Sequence, residues 1–296
     1  MPSFPSVLDE VAHEPDPRPE WEESWQLDFW TEDAELGGYV RLGLWPNSAR
    51  SWYWACLVGR DRPLVTVIEH DAPLPKPPGL EIRASGLWAD LIVQTAMEHM
   101  TVGLEAFGVA IDDPSEVYGK GWGDREPIGF DLEWESEGPG VMYDGQAGYE
   151  IPCRAHGEIL VGSETIDFDG WGRRSHRWGI RQWWDREWSW ASCRLGEGTT
   201  AIGEVIDGGV STQGFIDTSD VASGCAISAS HDERGLVDSA RIRLGDLYLA
   251  AEPVAWAPVA VQASDGRTSH VERSLCRYAA GDGRSGAGWM EFNRPQ

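Results

Sequence analysis

The residues best suited to chemistry lie between Gly170 and Trp190, in GWGRRSHRWGIRQWWDREWSW. Here Trp178, Trp183, Trp184, Trp188 and Trp190 offer broad apolar faces, while Arg174, Arg181, His176 and Asp185 supply charge and exchangeable protons. Such a mixture fits a large apolar ligand that is gripped by area and oriented, or acted on, at one polar point. Adding water to an isolated alkene, or removing it from a tertiary alcohol, needs a proton donor and then a surface that tolerates a carbocation. Indole faces meet the second need at roughly 0.5 to 2 kcal/mol per ring. For the first, His176, Asp185 and Glu187 are the local candidates, and Glu98 and His99 are candidates from the other half of the chain. Asp185 is the first choice, because a carboxyl enclosed by indoles is expected to have a raised pKa and stay protonated near neutral pH.

Each of these residues also has a plainer role. Trp188 and Trp190 share a face at strand spacing and read as core, whereas the adjacent Trp183 and Trp184 would face opposite ways. The arginines read as solvated or stacked on neighbouring indoles. Glu98 and His99 stand at the end of an expected strand, where a structural hydrogen bond is the simpler use. Asp185 could pair with Arg181 or Arg186 at the surface, and Glu291 could cap a buried arginine network as the last strand closes.

The elements that must position these groups are strands. Short stretches rich in β-formers, such as Trp25–Trp30, Gly38–Leu44, Thr101–Ile111, Gly129–Glu137, Trp188–Leu195 and Val237–Leu244, are separated by Gly, Pro, Asn or Asp, and few stretches read as helices. In DLEWES, Leu132 and Trp134 alternate with acidic neighbours, the period of a strand with one wet face. The glycine-rich run from Gly138 to Gly148 lacks apolar periodicity and predicts a linker. The sequence therefore predicts an all-β protein of two tandem antiparallel β-barrels, one over residues 1–140 and one over residues 149–296, each closed or nearly closed to avoid bare edges.

These segments also resemble a known family. Glu23-Ser24-Trp25, EHMTVGLEAFGVAIDDP from Glu98, GFDLEWE from Gly129, GWGRRSHRWGIRQWW from Gly170, WSW followed by LGEGT, and the closing GAGWMEF are similar to segments of the two-domain lipocalin-like family. That family includes carotenoid 1,2-hydratases, tocopherol-cyclase-like proteins and related pericyclases, and the likeness is greatest to a bacterial branch. The resemblance covers nearly the whole chain. It implies lipocalin-like barrels and a hydrophobic, often isoprenoid or polyketide-like ligand, handled without metal or organic cofactor. Two positions depart from the pattern. Ser175 stands where hydratase-like members carry the aspartate of an Asp-His pair, the presumed acid, and Met100 stands where the branch commonly has Trp.

Composition removes other classes. With 24 basic against 49 acidic residues the formal charge is -25, which repels phosphate backbones and anionic lipid surfaces and argues against a nucleic-acid partner. No apolar run approaches the roughly 18 residues of a membrane-spanning helix, and the N-terminal residues lack the pattern of a secretory signal, so a cytoplasmic location is expected. The five cysteines have no C-x-x-C spacing, which speaks against a disulfide framework or a structural zinc site, and the seven histidines are too dispersed in sequence to nominate ligands. There is no phosphate-binding glycine loop, no G-x-S-x-G and no H-E-x-x-H. Two readings remain: a cofactor-independent hydratase, dehydratase, isomerase or cyclase acting on a hydrophobic, isoprenoid-type substrate, and a lipocalin-like protein that binds an apolar ligand unchanged.

Overall fold

The computed structural model describes residues 4–119, 121–143, 147–196, 198–209, 211–217 and 220–296. It is all-β, with only short 3-10 turns besides strands and no α-helix among the described residues. Among the described residues no helix is long and apolar enough to cross a membrane.

The first sheet contains β1 (Trp21–Trp30), β2 (Leu36–Trp45), β3 (Arg50–Gly59), β4 (Leu64–Ala72), β5 (Ile82–Ala84), β6 (Leu87–Thr95), β7 (His99–Ile111), β8 (Asp124–Ser136), β9 (Val141–Met142), β10 (Gly148–Val161) and β11 (Glu164–Ile180). Its order is β4-β3-β2-β1-β11-β10-β8-β7-β6-β5, and pairing of β4 with β7 through Leu64 and Ile111 closes it into a ring. The second contains β12 (Trp188–Leu195), β13 (Thr199–Ile206), β14 (Ser211–Ile216), β15 (Asp220–Val221), β16 (Cys225–His231), β17 (Val237–Leu244), β18 (Leu247–Trp256), β19 (Val259–Gln262), β20 (Thr268–Ala280) and β21 (Ser285–Pro295). Its path, β15-β14-β13-β12-β21-β20-β18-β17-β16, stays open and forms a half-barrel.

The expected boundary moves. The run Gly138–Gly148 connects strands of one sheet: β10 pairs with β8 before the run and with β9 inside it. Residues 144–146 of that run lie outside the described residues. Strands 148–161 and 164–180, expected in the second half, complete the first ring, and the changeover falls at residues 181–187. Glycine content marked a turn, but a turn between paired strands and a linker between domains share that composition.

Both faces of β1 are covered, so nine of its ten residues are buried. Trp25, Leu27 and Phe29 point into the ring, with Leu42, Tyr53, Trp134 and Ile151 around them. The alternate residues, Glu22, Ser24, Asp28 and Trp30, face the half-barrel. A second core fills that contact: Trp30, Tyr39, Trp45, Trp52 and Trp54 from the ring meet Trp183, Trp188, Trp190, Leu275 and Trp289. The Tyr39 hydroxyl donates to the Ala257 carbonyl at 3.0 Å, and the Trp289 indole N–H donates to the Phe29 carbonyl at 3.2 Å. Gly38 permits the tightness of the ring wall, since a Cβ there would meet the Cys56 carbonyl oxygen at 2.2 Å.

Candidate functional site

Alternation along β11 divides its ionisable residues between two places. Arg173, Ser175 and Arg177 face the half-barrel, while Arg174, His176 and Trp178 face the ring interior at one of its mouths.

Between the sheets lies an ion-pair network. Arg173 donates to Asp28 at 2.8 Å and lies 2.9 Å from Glu150, with its guanidinium 4.1 Å from the centre of the Trp190 ring. Arg177 reaches Glu204 at 2.6 Å, and Arg273 bridges Asp28 at 2.8 Å and Glu291 at 2.7 Å. Arg41 pairs with Glu22, which also accepts the Trp183 indole N–H at 2.8 Å. Arg181 lies 3.4 Å from Glu291 and stacks over Trp183 and Trp188. Burial opposes ionisation of Glu291, yet Arg273, Arg181 and the Trp188 N–H together hold its pKa down at about 2. Burial, with Arg177 adding to it, brings Arg181 down to about 10 despite Glu291. The cavity here, lined by Ser24, Ser175, Arg181, Trp190 and Glu291 among others, has a volume of about 20 Å³, room for one water.

This accounts for most of the Trp-rich segment. Trp183, Trp188 and Trp190 are buried core whose indole N–H groups donate to Glu22, Glu291 and Glu150. Trp184 is half-buried and lies 3.4 Å from the Val261 carbonyl. Glu291 does cap an arginine network. The arginines form ion pairs and stack on indoles instead of lying free in solvent, because β1, β10, β13 and β21 bring carboxylates within their reach.

Asp185 is not enclosed by indoles. It lies on the exposed 181–187 connection, is 58% exposed, and pairs with Arg267 at 2.6 Å instead of Arg181 or Arg186. The connection turns so that Trp183 points inward, which leaves Gln182, Asp185, Arg186 and Glu187 in solvent. Glu98 is exposed on the turn between β6 and β7, and His99 lies on the outer ring surface, 2.7 Å from Glu133. Met100 is the neighbour that points inward. Neither Glu98 nor His99 converges with the indoles.

The ring mouth is different. Register places Trp25 opposite His176 and His176 opposite Tyr149, with Glu23 opposite Trp178 one step nearer the rim. Residues 6–16 cross this mouth as a strap. Its one turn, Val7–Asp9, is fixed by a capping box between Ser6 and Asp9. Glu10 is buried beneath it and accepts from Arg174 at 2.9 Å, from the Tyr149 hydroxyl at 2.8 Å and from the Met97 N–H at 2.7 Å. Burial and the nearby Glu10 carboxylate push the Tyr149 phenol well up.

His176, 1% exposed, stacks on Trp25 with ring centres 4.3 Å apart. Its Nδ1 lies 2.9 Å from the Asp9 carbonyl oxygen and its Nε2 lies 3.0 Å from Glu23 Oε1. The same oxygen is 2.8 Å from Nδ1 of His13, whose ring stacks on Trp178 at 3.8 Å and whose backbone N–H also donates to Glu23. The Trp25 indole N–H and Nε and Nη2 of Arg174 are buried without a hydrogen-bond partner among the described residues. Of the residues singled out from sequence, the structure gathers His176, Trp178 and Arg174 here. Glu10, His13, Glu23, Trp25 and Tyr149 complete the group, and only the Glu23-Ser24-Trp25 motif hinted at any of them.

A family model described as a domain of unknown function, DUF7064, matches residues 6–296. The chain belongs to the DUF7064 family. The match takes in the strap as well as both sheets. No curated protein sequence matches this DUF7064 chain. Among solved structures, an AttH candidate from Nitrosomonas europaea shares 13% identity at a TM-score of 0.61, over 96% of this chain and 98% of that one. Kievitone hydratase from Nectria haematococca shares 9% identity at a TM-score of 0.61, over 98% of this chain and 93% of that one. At these identities the likeness is one of fold.

Proposed function

We propose that this DUF7064 protein is a hydratase-type acid–base enzyme acting on an apolar, isoprenoid-type substrate at the mouth of the ring. One observation carries the reading. A buried imidazole, His176, sits between an indole wall and a buried carboxylate, Glu23, and both of its nitrogens face oxygen atoms that accept hydrogen bonds. Neutral imidazole carries one N–H and one lone pair, so a positive centre, a proton or a metal cation, belongs between Nε2 and Glu23. That centre supplies the acid: the shared proton itself, or the proton of a water that a cation there would hold.

In the forward direction the acid delivers a proton to one alkene carbon. The cation forming at the other carbon is stabilised by the faces of Trp25 and Trp178. Water then adds its oxygen to that carbon, and the proton it releases returns to the Glu23 side, so the net change is one water gained. The unpartnered N–H groups of Trp25 and Arg174 are donors for an oxygen on the ligand. Access requires the strap to leave the mouth, because Glu10 and His13 occupy it. The resemblance to carotenoid hydratases and the fold shared with a named hydratase support the same reaction class.

The test is incubation with apolar alkenes and the matching tertiary alcohols, followed by mass spectrometry for gain or loss of one water. The wild type should turn over, His176→Ala and Glu23→Gln should lose turnover by roughly 100-fold or more, and Asp185→Asn should be unchanged. Full activity in His176→Ala would refute the assignment. One observation favours the second reading, a lipocalin-like protein that binds its ligand unchanged: Ser175, at the position of the family's aspartate, faces the inter-sheet cavity and not the ring mouth. Saturable binding of an apolar probe, weakened by Trp178→Ala, with no turnover of any substrate, would establish it.

A further inference from the structure

The strap and the ring bring together three side chains that 163 residues of sequence keep apart, and their atoms meet as metal ligands do. The Asp9 carbonyl oxygen can only accept, so the nearby Nδ1 of His176 carries the hydrogen, and in the neutral imidazole Nε2 presents its lone pair to Glu23 Oε1. Nδ1 of His13 meets the same carboxylate. These three atoms lie within 4.8 Å of one another, and Glu23 and His176 are buried. The lone pair of His176 Nε2 is directed at an anionic carboxylate away from water, and His13, which turns Nδ1 to the same oxygen, presents a second lone pair there in its Nε2–H tautomer, an arrangement that suits a cation between them.

We propose that His13 Nδ1, His176 Nε2 and the Glu23 carboxylate bind a divalent transition-metal cation of the zinc class. The mixed nitrogen and oxygen set matches that class, whereas calcium and magnesium take oxygen ligands. The His176 Nδ1–H on the Asp9 carbonyl is the outer partner that fixes tautomer and ring orientation in such sites. Trp25 and Trp178 hold the two imidazole planes by stacking. Bonds of about 2.0 to 2.1 Å in tetrahedral geometry separate ligand atoms by about 3.3 Å. The present separations of 2.8 and 3.0 Å therefore open by a few tenths of an ångström, which the strap bearing His13 can supply. Three protein ligands leave a position for water, whose pKa such a cation lowers to about 7. The cation site stands on ligand geometry and holds for either reading of the mouth.

The experiment uses tag-free full-length protein, stripped with a chelator and refilled with Zn2+ or Co2+ alone. Elemental analysis should find one Zn2+ per chain, and Co2+ should give visible absorption typical of nitrogen and oxygen ligation in low coordination. His13→Ala, a partly exposed strap residue, should keep the circular dichroism and unfolding midpoint of the stripped wild type. It should bind Zn2+ more than about 100-fold more weakly, beyond the roughly 10- to 100-fold lost with an outer-shell partner. Asp185→Asn should bind as wild type does. Absence of stoichiometric Zn2+ and Co2+ uptake by the wild type, or wild-type affinity in His13→Ala, would overturn the proposal. Since the readout is binding, inactivity towards alkenes leaves it standing.

Discussion

Replacing Glu291 by Gln should destabilise the protein by about 3 to 5 kcal/mol, the cost of stripping one partner from a buried ion pair. Glu291 receives Arg273 at 2.7 Å and the Trp188 N–H at 2.8 Å, with Arg181 at 3.4 Å. Glutamine keeps the shape and one acceptor, but leaves an excess positive charge between the sheets. A second route gives a similar size. The carboxyl is held at about 2 against an ordinary 4.5, and at about 1.4 kcal/mol per unit that difference is on the order of 3 kcal/mol. Its sign is set by the depressed pKa: the contribution is present above about pH 4.5 and is lost as pH falls towards 2. Equilibrium denaturation at pH 7 should show the loss, and a thermal midpoint should drop by about 2 °C per kcal/mol in a chain of this size. Adding Arg181→Met, which removes the charge left over, should recover part of it. A loss below about 1 kcal/mol in Glu291→Gln, or further loss in the double variant, would refute the idea that pairing governs this contact.

Glu272 is buried, and although the Val237 N–H and Arg294 oppose the effect, burial lifts its pKa to about 7. The native state therefore binds a proton that the unfolded chain has lost between about pH 4.5 and 7, and this group's contribution to stability declines across that window as pH rises. His231, 3.4 Å away and itself shifted down by burial, titrates nearby, so the measure is the difference between wild type and Glu272→Gln. The variant should gain stability relative to wild type as pH is raised from 5 to 8 in denaturation experiments, and a constant difference would exclude the effect. Gly38→Ala should cost about 3 kcal/mol or more, because its Cβ would meet the Cys56 oxygen at 2.2 Å and the Phe29 ring at 2.4 Å. Poor yield of soluble protein or a lowered denaturation midpoint is the expected observation. Asp185→Asn should change stability by no more than about 0.5 kcal/mol, since its partner Arg267 is also exposed.

Strands with one wet face were readable from sequence. β17 alternates Ala240, Ile242 and Leu244 inward with exposed residues between, and its bounds were anticipated. β11 was harder, because from Trp171 onward it is covered on both sides and shows arginine, serine and histidine where a half-buried strand shows solvent and core in turn. Its ionisable residues looked like an active-site loop. Most of them satisfy carboxylates on β1, β10 and β13, a complementarity visible only once register is known. His176 and Trp178 were singled out for their chemical types. Glu23 and His13 were not, since no local spacing links them to His176 and only the pairing of β1 with β11 and the strap's path do so. Asp185 misled because adjacency in sequence to indoles does not imply enclosure by them where a connection turns outward.

The aromatic core between the sheets bears on how the molecule comes apart. Trp30, Trp45, Trp52 and Trp54 belong to the ring yet are dry only because the half-barrel covers them. Separating the sheets would wet those faces and strand the arginines and carboxylates shared across the seam. Neither sheet is thus an independent folding unit, although the ring closes on itself. Unfolding should be a single cooperative event across all 296 residues, and a fragment ending at the 181–187 connection should aggregate through the tryptophans it exposes.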